Sequence, residues 1–245
     1  MKARLDNQGY LLFDGDPLAL LMRSGDQGRY LASKLRLVDG VVRTKGAPST
    51  MSDLLARYRP ELERSTAWLS QAPLEHIKEA ARERPLCVVA CGMAMIGVES
   101  VYSKDQRTRD IFSIRFEPAF EGWAHSEAPR WFSAGLAQTT LKTARVLAKR
   151  YGLEVYDLKG APREVQPGDL CIPEVSLSLM WCKIDADLAR YGLDPIRLRS
   201  AYNAGTAKPS DSNDFGYILH GGNVGFIKFA AWFNDAMALL LGEAK

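Results

Sequence analysis

The sequence is poor in the residues that build metal centres or disulfide frameworks, with four cysteines and three histidines in 245 residues. Cys87, Cys91, Cys171 and Cys182 form no CxxC pair, and His76, His125 and His220 supply no zinc-ligand spacing. Cys87 and Cys91 lie within one apolar run and read as small core residues, so no disulfide scaffold is indicated. No metal or other cofactor is expected. No apolar run approaches the length of a membrane span, and there is no internal repeat or low-complexity tract. Charge of one sign is equally scarce. A net charge of +3 and a pI near 8.6 are far from the footprint of a nucleic-acid binder.

What is present is ordinary for a globular protein: 47% hydrophobic, 25% charged and 9% aromatic residues, enough for a sizeable core. The opening stretch, MKARLDNQGYLLFDGDPLALLMRS, has an apolar patch broken by Asp14, Asp16 and Pro17, so no signal peptide is read there. The expectation is synthesis in the cytoplasm, without membrane insertion. A target outside the cytoplasm would require delivery by another system.

Three regions follow from patterning. Residues 1–48 carry short apolar pieces among Gly and Asp, which predict short strands or turns and a helix near 17–23. No role is assigned to this segment. "RTKGAPST" (43–50) reads as a linker. A helical lead-in over 49–85 starts at Ser52-Asp53 and includes an amphipathic segment between Pro73 and Pro85. From residue 86 to 245 the chain reads as a third region. Pro85 can open a helix that is apolar on nearly every side to Ser100. "IFSIRFEPAF" then has the composition of a strand, and "EGWAHSEAPRW" reads as an exposed loop. Further helices are expected over "TTLKTARVLAKRYG", from Pro173 through "PEVSLSLMWCKIDADLARYG", from Asp194-Pro195 into "LRSAYNAG", and over about 223–242. The class is mainly α with a small β region.

One residue in the greasy helix needs an explanation. "GMAMIGVES" (92–100) ends in Glu99, and an ionised carboxylate buried without a partner costs several kcal/mol. Apolar surroundings favour the neutral form of a carboxyl, which is the setting of a general acid, and a helix C-terminus also disfavours negative charge. A surface-facing helix end or a buried ion pair would explain the residue without chemistry.

"GVES" at 97–100, "SAGLAQTTLKTAR" at 133–145, "PEVSLSLMWCKIDADLARYG" at 173–192 and "SAYNAG" at 200–205 follow one another in order. Together they resemble the soluble lytic transglycosylases, a goose-type-lysozyme-like family. That family has a helix ending in Glu-Ser, a Gly-Leu-Met-Gln turn before a helix with Thr-Ala, and an Ala-Tyr-Asn-Ala-Gly segment. The resemblance spans about 86–240 and is weakest over "GYILHGGNVGFIKFAAWFNDA". Ala137 stands where the family has Met, and the interval from Glu99 to Gln138 is longer than in short members. Within it, "IRFEP" is similar to the Ile-Arg-Tyr-Glu-Pro segment of phage-associated members.

The resemblance implies a lysozyme-like α+β domain that cleaves the β-1,4 MurNAc–GlcNAc bond of peptidoglycan in the cell wall, with Glu99 as general acid and base. It implies substrate-binding roles for Ser100, Ser133, Gln138, Tyr202 and Asn203. Glu117 is the candidate second carboxylate, needed if water rather than the muramic C6 hydroxyl completes the reaction; a salt bridge with Arg115, or a hydrogen-bonded place in the wall of the site, would explain it without catalysis. Trp123 and Trp131 could stack on sugar faces, whereas Asp105 and Asp110 read as solvated loop charges. Delivery by phage or secretion machinery is the expected partnership. A lysozyme-like component of a virion or secretion apparatus that binds glycan without cleaving it is the alternative from a different class. A chitin-directed hydrolase is a third.

Overall fold

In the computed structural model, residues 1–45, 72–100 and 133–242 are described. Of these, 57% are helical and 13% are in strands, with eight α-helices and small sheets. The chain is mainly α with a small β region, as its helix signals predict. The described residues fall into two compact units, one holding 1–45, 76–98 and 186–242, the other 72–75, 99–100 and 133–185. The helix expected from Ser52-Asp53, most of the linker, the strand "IFSIRFEPAF" and the loop after it lie outside the described residues.

The first unit opens with strands β1 (Ala3–Leu5) and β2 (Leu11–Phe13), helices α1 (Pro17–Arg23) and α2 (Gly25–Lys34), and strands β3 (Leu35–Val38) and β4 (Val41–Thr44). The strands form an antiparallel sheet in the order β1-β2-β4-β3. Asp16 caps α1 by accepting hydrogen bonds from Leu18 N and Ala19 N at 2.8 and 3.1 Å, and Pro17 sits where its missing N–H costs nothing. The β3–β4 hairpin turns on Asp39 and Gly40, whose φ values of 51° and 80° are those of a two-residue type I′ turn. Helix α2 was not among the expected elements, because glycines at 25 and 28 mask its start.

Helix α3 (Glu75–Glu83) leads into α4 (Pro85–Ser100), which Pro85 opens as expected. Helices α7 (Pro195–Ala204) and α8 (Gly222–Leu240) complete the unit. Asp194 caps α7 through Ile196 N and Arg197 N at 3.0 and 3.1 Å. The core gathers Leu11, Leu21, Leu35, Met95, Phe226, Phe229 and Phe233, all buried. Helix α4 approaches α8 so closely at Gly97 that a Cβ there would lie 2.8 Å from the Trp232 ring.

The N-terminal sheet is tied to α8 by two adjacent polar residues with no solvent exposure, Asn234 and Asp235. The Asn234 amide donates to the carbonyls of Leu11 and Val42 at 3.1 and 3.0 Å and accepts from Leu11 N at 2.8 Å. Asp235 accepts from the Thr44 hydroxyl at 2.7 Å and lies 3.5 Å from Arg43 Nε. Burial pushes the Asp235 carboxyl above the usual aspartate range, and the bonds from Thr44 and Arg43 offset this only in part.

The second unit contains hairpin β5 (Ser133–Ala134) and β6 (Thr139–Thr140), helix α5 (Leu141–Tyr151), hairpin β7 (Val155–Tyr156) and β8 (Pro162–Arg163), and a 3-10 turn (Pro167–Cys171). Residues 173–185 of helix α6 (Pro173–Tyr191) belong to it as well. Thr140 caps α5 by accepting from Thr143 N at 3.2 Å. Asp169 is 4% exposed and holds the 3-10 turn by accepting from Gln166 N at 2.7 Å while binding Arg163 in a fork at 2.6 and 2.8 Å. Tyr151, buried against α6, donates its hydroxyl to Asp185 at 2.9 Å. Among the described residues, no helix is long and apolar enough to cross a membrane.

Candidate functional site

Glu99 is 8% exposed at the last turn of α4, whose preceding residues Ala90–Val98 are all buried. From Ala90 to Glu99 every side of this helix is buried, which the run of small and apolar side chains there requires, whereas Pro85 and Val89 in its first turns are exposed. Lys228 of α8 donates to the carbonyl of Val98 at 3.4 Å. That ammonium satisfies one of the carbonyls left open at the helix C-terminus and complements the negative end of its dipole.

Gln138 closes the four-residue turn Gly135-Leu136-Ala137-Gln138 between β5 and β6. It takes a φ of 48°, a left-handed conformation that costs a non-glycine residue of order 1 kcal/mol or more and persists only where neighbours enforce it. The enforcement is visible. Gly135 accepts at its carbonyl from the Gln138 backbone N at 3.2 Å and from the Gln138 side-chain Nε2 at 2.9 Å. Ala137 N donates at 3.1 Å to the hydroxyl of Ser176, which is 1% exposed on α6. Gly135 itself has a φ of 78°, and a Cβ there would fall 1.8 Å from the Leu170 carbonyl oxygen, so only glycine fits. The Ser133 hydroxyl approaches the Gln138 Oε1 at 3.5 Å.

Of the residues predicted for the site, Ser133 and Gln138 are thus brought together, in the same unit as Glu99. Tyr202 and Asn203 lie in the other unit, near the end of α7, and both are half-buried. The Asn203 Oδ1 accepts from His220 N at 3.0 Å, and Ser200 donates to the Ile218 carbonyl at 2.6 Å, so the "SAYNAG" segment anchors the loop that precedes α8. This leaves the Asn203 Nδ2 as the end able to donate to a ligand. Glu117, Trp123, Trp131, Asp105, Asp110 and the side chain of Ser100 lie outside the described residues.

The thiols do not compete as nucleophiles. Burial pushes Cys171 up to about 11 and Cys182 up to about 12, so both stay protonated at neutral pH, and burial also raises Cys87 and Cys91. All four are free cysteines, and Cys87, Cys91 and Cys182 are buried as small core residues. Two contributors escaped the sequence reading. Ser176 signalled itself only as a serine within the apolar helix "PEVSLSLMW", and Lys228 only as a lone cation in "GFIKFAAWF". No protein-family model matches the sequence, and no curated protein matches it.

Proposed function

We propose that the chain cleaves the β-1,4 bond between MurNAc and GlcNAc in peptidoglycan, with Glu99 as the single acid and base. The observation that carries this reading is a carboxyl group buried at the end of an all-apolar helix, in the same unit as a strained turn that displays Gln138. The resemblance of "GVES", "SAGLAQ" and "SAYNAG" to the lytic transglycosylases supplies the chemistry. Glu99 gives its proton to the glycosidic oxygen as the C1–O bond breaks and positive charge develops at C1. The muramic C6 hydroxyl then attacks C1 and returns a proton to Glu99, which leaves a 1,6-anhydro end. The same acid would serve a hydrolase, in which water attacks C1 and a reducing end forms. Access to the wall would come through phage or secretion machinery.

The test is incubation of purified sacculi with the wild type and with Glu99→Gln, followed by mass spectrometry of the released muropeptides. General acid catalysis contributes about 10²–10⁴-fold, so Glu99→Gln should slow release by at least about 100-fold with its circular dichroism unchanged. Anhydro-muropeptides identify transglycosylation and reducing ends identify hydrolysis. A Glu99→Gln protein as active as the wild type overturns the assignment.

A further inference from the structure

The turn that displays Gln138 has a polar anchor outside its own hairpin. Ser176 sits on the first turns of α6, is 1% exposed, and spends its hydroxyl oxygen on the backbone N–H of Ala137 at 3.1 Å. A buried hydroxyl aimed at the residue before a strained one is placed to hold that strain. The ceiling above the turn is equally tight. The Leu170 carbonyl and the Ser176 Oγ lie where a Gly135 Cβ would be, at 1.8 and 2.6 Å.

The held conformation sets the polarity of the Gln138 amide. Its Nε2 faces the Gly135 carbonyl at 2.9 Å, and only a donor can occupy that place, since the flipped amide would set two oxygens against each other. The other end, Oε1, therefore points away from the Gly135 carbonyl and meets the Ser133 hydroxyl at 3.5 Å. An amide oxygen has two lone pairs. One serves Ser133, and the second is open to a ligand.

Resting on the glycan-cleaving reading above, we infer that Ser176 is a positioning residue. Its hydroxyl fixes the Gly135–Gln138 turn so that Gln138 presents a hydrogen-bond acceptor, Oε1, to a hydroxyl or N-acetyl N–H donor of the glycan. The residue contacts no sugar itself and acts through Gln138. Its loss should therefore weaken ground-state and transition-state binding alike, which raises KM and leaves kcat nearly unchanged.

The experiment measures kcat and KM on a soluble GlcNAc–MurNAc hexasaccharide for the wild type, Ser176→Ala, Gln138→Ala and the double variant. One net hydrogen bond corresponds to about a three- to tenfold rise in KM for Ser176→Ala. In the Gln138→Ala background, adding Ser176→Ala should change KM by less than about twofold, because the pathway runs through the amide that is already gone. Should Ser176→Ala fail to fold, Ser176→Cys keeps the side chain in place with a far weaker acceptor and should raise KM by about two- to threefold, and an unchanged KM there overturns the inference too. An unchanged KM in an active, folded Ser176→Ala protein, or independent effects in the double variant, overturns the inference while leaving the cleavage reading intact. A wild type that leaves the hexasaccharide whole overturns the cleavage reading, and the inference with it.

Discussion

Replacing Asn234 by leucine removes the tether between α8 and the N-terminal sheet with little change in side-chain shape. Three hydrogen bonds go: one accepted from Leu11 N and two donated, to the carbonyls of Leu11 and Val42. Leu11 is 1% exposed and Val42 is fully buried, so water cannot replace the amide. A stranded buried N–H costs about 1–3 kcal/mol, and each carbonyl about 1 kcal/mol, since its second lone pair remains available. The expected loss is about 3–5 kcal/mol, a large share of the roughly 5–15 kcal/mol that keeps a domain folded. In urea, with a slope of about 2 kcal/mol per molar, the midpoint should fall by about 1.5–2.5 M. Asn234→Asp should be no better, because its second oxygen would face the Leu11 and Val42 carbonyls. Hydrogen exchange adds a local readout, in which the Leu11 amide should lose its protection. A midpoint shift under about 0.3 M with the Leu11 amide still protected would show that the carboxamide does not hold the sheet.

Two further substitutions probe the same unit. For Asp235, the folded carboxyl titrates above the unfolded value of about 3.9, so the folded state holds the proton more tightly. The stability from that proton is complete below the unfolded value and is lost as pH rises through the folded one. Asp235→Asn should remove this dependence, so urea midpoints at pH 4 and pH 7 should shift in favour of the variant as pH rises; a constant gap would contradict the assignment. Gly97→Ala places a methyl 2.8 Å from the Trp232 ring and should cost about 1–3 kcal/mol through overpacking, seen as a lower thermal midpoint and altered tryptophan emission.

The long elements were legible because their ends are written in caps. Pro85, Thr140, Pro173 and Asp194-Pro195 each open a helix where a cap or first-turn proline predicts one, and the final helix at Gly222–Leu240 lies close to the expected 223–242. Helix α2 escaped because two of its ten residues are glycine and the residue it buries is one of them, Gly28, so no apolar stripe marks its inner face. The Gly and Asp of residues 1–48 predict short strands or turns, yet the sheet found there is held by a bond from Asn234 of α8, 192 positions beyond Val42. The site divides in the same way. Glu99 and Gln138 stand out as a misplaced acid and a turn amide. The support for Gln138 comes from a serine 39 positions beyond Ala137, on a helix whose pattern reads only as core. Short-range chemistry is recorded in neighbouring letters, whereas a buried hydroxyl paired across such a distance leaves no local periodicity.

The clamp between Asn234 and the strands at Leu11 and Val42 has a consequence for how the chain is made. Bonds spanning 223 and 192 positions cannot form until α8 has left the ribosome. At about 5–20 residues per second, the nascent N-terminal strands wait roughly ten seconds or more without the partner that satisfies their polar groups. Closing contacts of such separation also makes for slow folding. A nascent sheet in that state exposes open edges to other chains, so the interval before α8 emerges is when this protein depends most on being shielded.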